Sequence, residues 1–297
     1  MRRFLARVAV VCGALLLAGP VSAGPIVIAP STAAQMVQAL VAGSPGITVV
    51  AGSEVYTGDP IASGTFTGGA GILPFPTGVI LTSGSAAGAI GPNNDEAFTV
   101  FNSGVADAQL TALSGQPTFD AATLEFSFIP TASTISFQYV FGSEEYNFFV
   151  GSEFNDVFSF FLNGTNIALV PGTSTPISVN NVNCTVNSQY YTDNGGGIGG
   201  GGPCGNANLD TQYNGLVGAN AAFALFAVGN VNPGVQNTIK LALADAGDDA
   251  LDSGVFLAGG SFVNQPPTTT VPEPGTFLLL GGALAGVAMR ARRRRNA

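Results

Sequence analysis

Leu124-Glu125-Phe126-Ser127-Phe128-Ile129-Pro130-Thr131-Ala132-Ser133-Thr134-Ile135-Ser136-Phe137-Gln138-Tyr139-Val140-Phe141 is the stretch on which the fold reading turns. Leu124, Phe126 and Phe128 alternate with Glu125 and Ser127, and Ile135, Phe137, Tyr139 and Phe141 alternate with Ser136 and Gln138. Side chains of a strand point to opposite faces in turn, so each run presents one apolar face and one polar face. Pro130-Thr131-Ala132-Ser133 reads as a turn, which makes the two runs antiparallel neighbours in this reading. Further strands are expected at 47–50, 78–82, 157–162, 167–170, 177–180, 223–228, 238–244 and 254–262, with Asn163-Gly164 as a hairpin turn. One helix is expected near the N-terminal side. Ser31 is its N-cap, Met36, Val37, Leu40 and Val41 share one face, and Gly43 ends it. The fold class is mainly β: an antiparallel two-sheet sandwich, jelly-roll-like, with one short N-terminal helix.

Both ends carry addresses. Met1-Arg2-Arg3-Phe4-Leu5-Ala6-Arg7 is a basic start, Val8 to Leu17 is apolar, and Val21-Ser22-Ala23 is a small-residue cleavage site. Residues 1–23 read as a signal peptide cut between Ala23 and Gly24 by signal peptidase after passage through the general export machinery. Cys12 sits inside the apolar run and not just after it, which argues against a lipoprotein signal. At the other end, Pro272-Glu273-Pro274-Gly275 precedes the uncharged stretch 276–289, and Arg290-Ala291-Arg292-Arg293-Arg294-Arg295 follows it. As a helix, those fourteen residues rise about 21 Å, short of the roughly 30 Å hydrocarbon core, so the segment is a marginal membrane helix. The arginines favour the cytoplasmic side and leave the body of the chain outside.

Removing the addresses changes the charge. Of 9 basic residues only Lys240 lies between Gly24 and Asn264, and 17 of the 18 acids lie there, for a formal charge of −16. Phosphate recognition needs clustered Lys and Arg, so nucleic acid and anionic lipid surfaces are excluded as partners of this domain. Cations are its natural counterions. No His is present, which excludes a Ser-His-Asp triad. Cys184 and Cys204 are the mature cysteines, and an oxidising compartment allows them to pair around a Gly-rich loop. Two thiolates without histidine do not make a zinc site.

Acids concentrate in two places. Glu144, Glu145, Glu153, Asn155 and Asp156 alternate with large aromatics from Phe141 to Phe158, and Asp245, Asp248, Asp249 and Asp252 crowd a second segment. These nine residues are the candidate Ca²⁺ ligands, because Ca²⁺ takes six to eight oxygens from carboxylates, amides and carbonyls. The spacing is not that of an EF-hand loop. The alternative is a secreted carboxylate-dependent glycoside hydrolase acting on exopolysaccharide, with an acid and base drawn from Glu144, Glu145, Glu153 and Asp156. The chain has no Trp to stack on sugars, and no catalytic residue is assigned.

The C-terminal tail, with Pro272-Glu273-Pro274, the Gly-rich apolar run and the closing arginines, resembles the PEP-CTERM sorting signal of Gram-negative bacteria. That resemblance implies processing by an exosortase near the triplet and only transient anchoring in the inner membrane. Gly78-Val79-Ile80-Leu81-Thr82-Ser83-Gly84, Tyr139 to Tyr146, Phe154-Asn155-Asp156-Val157-Phe158 and Asp252-Ser253-Gly254-Val255-Phe256-Leu257 resemble the choice-of-anchor L domain. It implies a cell-surface module and supplies no activity. The expected organisation is therefore a signal peptide (1–23), a β-sandwich domain (24–264, with its choice-of-anchor core at about 47–263), a linker (265–271) and a sorting signal (272–297). The expected function is a non-catalytic binding or adhesion role at the cell surface or in the matrix, calcium-stabilised, with an envelope polysaccharide or surface protein as partner.

Overall fold

The computed structural model describes residues 25–195 and 203–266. The signal peptide, the sorting signal with its segment 276–289, and most of the Gly-rich run lie outside the described residues. Among the described residues no helix is long and apolar enough to cross a membrane.

Two antiparallel sheets face each other. Numbering strands along the chain, the first sheet runs β1 (Val27–Ala29), β4 (Ser63–Thr67), β5 (Gly78–Thr82), β14 (Ser253–Ala258), β7 (Thr134–Ser143), β11 (Gly215–Val217) and β10 (Tyr191–Asp193). In that sheet β12 (Leu225–Asn230) also pairs with β7. The second sheet runs β2 (Ile47–Val49), β6 (Thr118–Pro130), β13 (Asn237–Ala246), β8 (Val157–Leu162) and β9 (Thr165–Asn166), with β3 (Val55–Thr57) also on β6. The expected two-sheet antiparallel sandwich is the observed architecture.

The inward faces supply the core that the alternation foretold. Phe126 and Phe128 from one sheet, Phe137, Tyr139 and Phe141 from the other, and Phe158 and Phe160 all belong to one buried cluster. Tyr139 meets Phe160 edge-on with centroids 4.9 Å apart, and Phe137 meets Phe160 at 5.0 Å, so these contacts cross between the sheets. Helix α1 (Ala33–Val41) adds Met36, Val37 and Leu40 to the same core. Helix α2 (Ala108–Ser114) covers the outer face of the second sheet through Leu110, against Phe161, Ala242 and Ala244.

Four expectations need correction. The two alternating runs are β6 and β7, and they lie in different sheets, not side by side. Pro130 to Ser133 is an arch between layers: Thr131 N–H donates to Gly46 O and Ser133 O accepts from Val231 N–H, so its backbone groups bind other segments. Both strands find partners far along the chain, β6 with β13 and β7 with β14. The cap of α1 is Thr32, not Ser31. Thr32 Oγ1 accepts from Gln35 N at 3.3 Å and Thr32 N donates to Gln35 Oε1 at 2.9 Å, whereas Ser31 Oγ sits 2.9 Å from Thr65 Oγ1. The segments 167–170 and 177–180 carry only isolated bridges, with the strand after Asn163-Gly164 reduced to Thr165–Asn166. Finally, β14 stops at Ala258, because Gly260 turns the chain at φ 66°.

Candidate acidic cation centre

One end of the sandwich gathers acids that the core does not need. Glu144 and Glu145 follow β7, Asp156 precedes β8, Asp245 lies near the end of β13, and Asp252 precedes β14. Their exposures are 0%, 1%, 0%, 1% and 3%. Strand pairing brings them together: Ser253 stands opposite Ser143, Gly254 opposite Thr82, and Ala244 opposite Val157. A bulge adjusts the geometry. Leu243 pairs with Ala122 and Asp245 with Phe119, so Asp120 and Ala121 of β6 face Ala244 alone. Asp120 takes φ 50° there, a conformation that Asp tolerates better than most residues. Leu251, next to Asp252, holds φ 66°, which a bulky side chain rarely adopts.

Some of these carboxylates are partnered and others are not. Asp156 Oδ1 accepts from Ala246 N at 3.1 Å and its Oδ2 from Ser253 Oγ at 2.6 Å. Both Asp252 oxygens lie 3.1 Å from Val100 N. By contrast both oxygens of Glu144 and Oε2 of Glu145 are buried with no hydrogen-bond donor, and Asp245 has none within hydrogen-bond distance, though Ser83 and Asp156 lie close enough to act on it. Buried carboxylates without a donor or a cation are among the most costly arrangements in a protein. Among the described residues the ion pair is Lys240 with Asp107, on the far face of the second sheet.

The electrostatics follow. Burial, with the charges of Asp252 and Asp95 behind it, pushes Glu144 up to about 10. Burial raises Asp252 to about 7, against the opposing hydrogen bond from Val100 and with Asp120 adding repulsion. Glu145 is raised by burial and then by Asp156, and Asp245 well above the carboxylate range for the same two reasons. Asp156 is raised by burial despite its bonds from Ser253 and Ala246. Two causes recur, burial and like charges close by.

Of the nine expected ligands, five are thus buried at this end of the sandwich, with no three of their carboxylates within 4.8 Å of one another. The other four are not. Glu153 and Asp249 are exposed, Asp248 is half-buried with Oδ1 accepting from Ala250 N at 3.3 Å, and Asn155 Oδ1 accepts from Asn180 N at 2.9 Å. Sequence reasoning missed Ser83, Ser253, Asp120 and Asn214. Ser253 N donates to Ser83 Oγ at 2.9 Å, and Asn214 Nδ2 donates to Glu144 O at 2.7 Å. The serines stood inside the segments already singled out, while Asp120 and Asn214 had no local signal.

The surroundings are built to hold this end. The Cys184–Cys204 disulfide closes a loop of sequence separation 20. Cys204 N donates to Asp193 Oδ2 at 3.0 Å, Asp193 Oδ1 accepts from Asn147 Nδ2 at 3.2 Å, and Tyr191 donates to Asn147 Oδ1 at 2.8 Å. The disulfide loop therefore buttresses the chain just after Glu144-Glu145. Beside the acids lies a pocket of about 450 Å³ lined by Glu96, Thr99, Phe148, Phe149 and Leu251. Its wall is tied to the acids, since Leu251 N donates to Thr99 Oγ1 at 2.8 Å and Asp252 follows directly. No buried acid lines it.

Residues 27–263 match the family model of the choice-of-anchor L domain, and residues 270–294 match the PEP-CTERM protein-sorting motif. The chain belongs to the choice-of-anchor L family. No curated protein and no solved structure matches it. The sorting motif implies exosortase-dependent export, and the choice-of-anchor domain a protein of the cell surface or envelope. Neither match is to an enzyme family. The four segments that carried the family resemblance, 78–84, 139–146, 154–158 and 252–257, all converge on the acidic end.

Proposed function

We propose that this chain is a calcium-stabilised, non-catalytic binding module, displayed on the cell surface or released into the matrix after sorting. The observation that carries the calcium reading is the set of buried carboxylate oxygens without donors at Glu144, Glu145 and Asp245. A hard divalent cation would supply the missing positive charge, held by these carboxylates and completed by neutral oxygens, since no three of the buried acids lie within 4.8 Å of one another. Neutralised, the acids fix the 144–149 and 245–252 segments and so set the shape of the pocket between Phe148, Phe149 and Leu251. That pocket, apolar with Glu96 at its wall, is the surface offered to an envelope polysaccharide or surface protein. The same burial weighs against hydrolysis, because Glu144, Glu145 and Asp156 are 0–1% exposed and leave Glu153 as the one accessible acid of the proposed acid and base set.

The test is a thermal melt of the full chain dialysed against chelator, then repeated in CaCl₂. A ligand at 100 times its Kd stabilises by about 2.7 kcal/mol per site. Identical melting in both would remove calcium from the proposal. Retention of the chain on immobilised envelope polysaccharide, expected with CaCl₂ and lost with chelator, tests the binding half. Turnover of that polysaccharide by wild type, abolished in Glu145→Gln, would replace binding with catalysis.

A further inference from the structure

We infer that the pocket beside the acidic end binds a basic polypeptide segment, which puts an apolar side chain against Phe148 and Leu251 and sets lysines or arginines on the acids around the rim. This deepens the binding half of the proposed function, choosing protein over polysaccharide, and rests on it; the calcium half is independent.

The interior suits an apolar group. The pocket measures about 450 Å³, a size common among ligand sites, and Ala97, Phe148, Phe149, Ala250 and Leu251 make most of its wall. Phe148 is 63% exposed. An aromatic ring left this open beside an apolar pocket marks a surface for a partner to cover. The polar side chains in the wall are Glu96 and Thr99, and the threonine is already engaged. Its Oγ1 accepts from Leu251 N at 2.8 Å and donates to Ala97 O at 3.4 Å. A sugar ring carries a hydroxyl on most of its carbons, and here those hydroxyls would meet carbon in place of partners.

The rim has the opposite character. Asp95 adjoins Glu96 on one side, and Asp248 and Asp249 lead into Ala250 on the other. Glu153 precedes Phe154, whose ring packs edge-on against Phe149 with centroids 5.6 Å apart. Asp95, Glu153 and Asp249 are exposed. The one base between Gly24 and Asn264, Lys240, is engaged with Asp107 on the outer face of the second sheet, so the rim has no counter-charge of its own. These acids stand on three separate chain segments. One small cation cannot meet them all, whereas a stretch of polypeptide carrying several positive side chains can.

The walls are held by the chain itself. Phe149 N donates to Glu145 O at 3.0 Å, and Asp252 N donates to Phe98 O at 3.3 Å. A partner therefore meets a preformed surface, which lowers the ordering cost of binding.

Selection of a random decapeptide display library on the immobilised full chain in CaCl₂ tests the assignment. Enrichment of Lys or Arg around a Phe, Leu or Ile is expected. The leading peptide, synthesised with a fluorophore, should bind Phe148→Ser at least about tenfold more weakly than wild type, because the burial of one Phe is lost. It should also bind the Glu153→Gln and Asp249→Asn double variant severalfold more weakly, with a shallower dependence on salt. All three substitutions replace exposed side chains, and an unchanged melt verifies the fold. No enrichment, enriched peptides without basic residues, or equal affinity in Phe148→Ser overturns the assignment. Retention on immobilised envelope polysaccharide should survive Phe148→Ser. Its loss there gives the pocket to the polysaccharide, which overturns the polypeptide partner and keeps the proposed binding function; no binding of either kind overturns both.

Discussion

Two regions of this domain handle charge in opposite ways. On the outer face of the second sheet, Lys240 pairs with Asp107 and Gln109 and lies 5.9 Å from the centroid of the Phe161 ring. Asp107 meanwhile caps α2, its Oδ1 accepting from Gln109 N and Leu110 N at 3.0 Å each. Lys240 and Asp107 are partnered within the chain, and Glu125, opposite Lys240 on β6, stays exposed to water. At the acidic end five carboxylates are buried, and three of them have oxygens with none. A chain with one lysine between Gly24 and Asn264 has no second cation to send. The difference teaches that the first region is satisfied by the chain itself, while the second must hold protons or, on the proposed reading, a cation.

The largest expected effect breaks the acidic side of that contrast. Removing calcium should lower melting of the full chain by roughly 5–10 °C per site, taking about 2.7 kcal/mol per saturated site and about 2–4 °C per kcal/mol for a domain of this size. Differential scanning calorimetry with chelator reads it, and the Lys240 side predicts no such dependence.

Next comes Gly84→Ala. A Cβ at Gly84 would collide with the Asp252 carboxylate, and Asn102 holds the Ser83 and Gly84 carbonyls so that the backbone cannot swing away. The expected loss is about 1–3 kcal/mol from overpacking, with a weakened calcium response. Urea unfolding with and without CaCl₂ separates the two parts. A variant with wild-type stability would show that Asp252 is not held where the structure puts it.

The pH dependence sharpens the comparison. Raised carboxyl pKa values mean the folded state holds protons that the unfolded chain releases near pH 4. In chelator, stability is therefore full below the unfolded carboxyl range and falls as pH rises through about 7 for Asp252 and towards about 10 for Glu144. The slope is up to about 1.4 kcal/mol per pH unit for each titrating group. Calcium competes with those protons, so its stabilisation should grow over the same window. Stability in chelator that rises from pH 5 to 9 would contradict the burial of unpaired acids.

The smallest effect lies on the paired side. Lys240→Met removes the ion pair but leaves Asp107 capping α2, at a cost of about 1–2 kcal/mol with the calcium shift unchanged. A lost calcium response in that variant would mean the two regions are coupled.

The sequence made the sandwich legible because apolar alternation survives any choice of partner. Phe126, Phe128, Phe137 and Tyr139 face the core whichever strand lies beside them. Partner choice was not legible: a four-residue turn between two alternating runs has the same local pattern in a hairpin and in an arch between sheets. What decides is the match of β6 to β13 and of β7 to β14, more than a hundred residues away, and no local residue announces it. The acidic end was found for a simpler reason, that acids crowd two short segments. Within those segments Glu153 and Glu145 look alike. Only the end of β7, the bulge opposite Ala244 and the pairing of Ser253 with Ser143 decide which carboxylates turn inward. Asp120 stood alone in an alternating run, and its place beside the cluster comes wholly from that bulge.

The most direct measurement of the central claim is a calorimetric titration of the chelator-dialysed full chain with CaCl₂ at pH 8, wild type beside the Glu144→Gln and Asp245→Asn double variant. Saturable binding in wild type, absent from the double variant while its melting transition persists, is the predicted result. No binding heat in wild type, or the same binding in both proteins, would contradict the assignment of these buried acids to a cation.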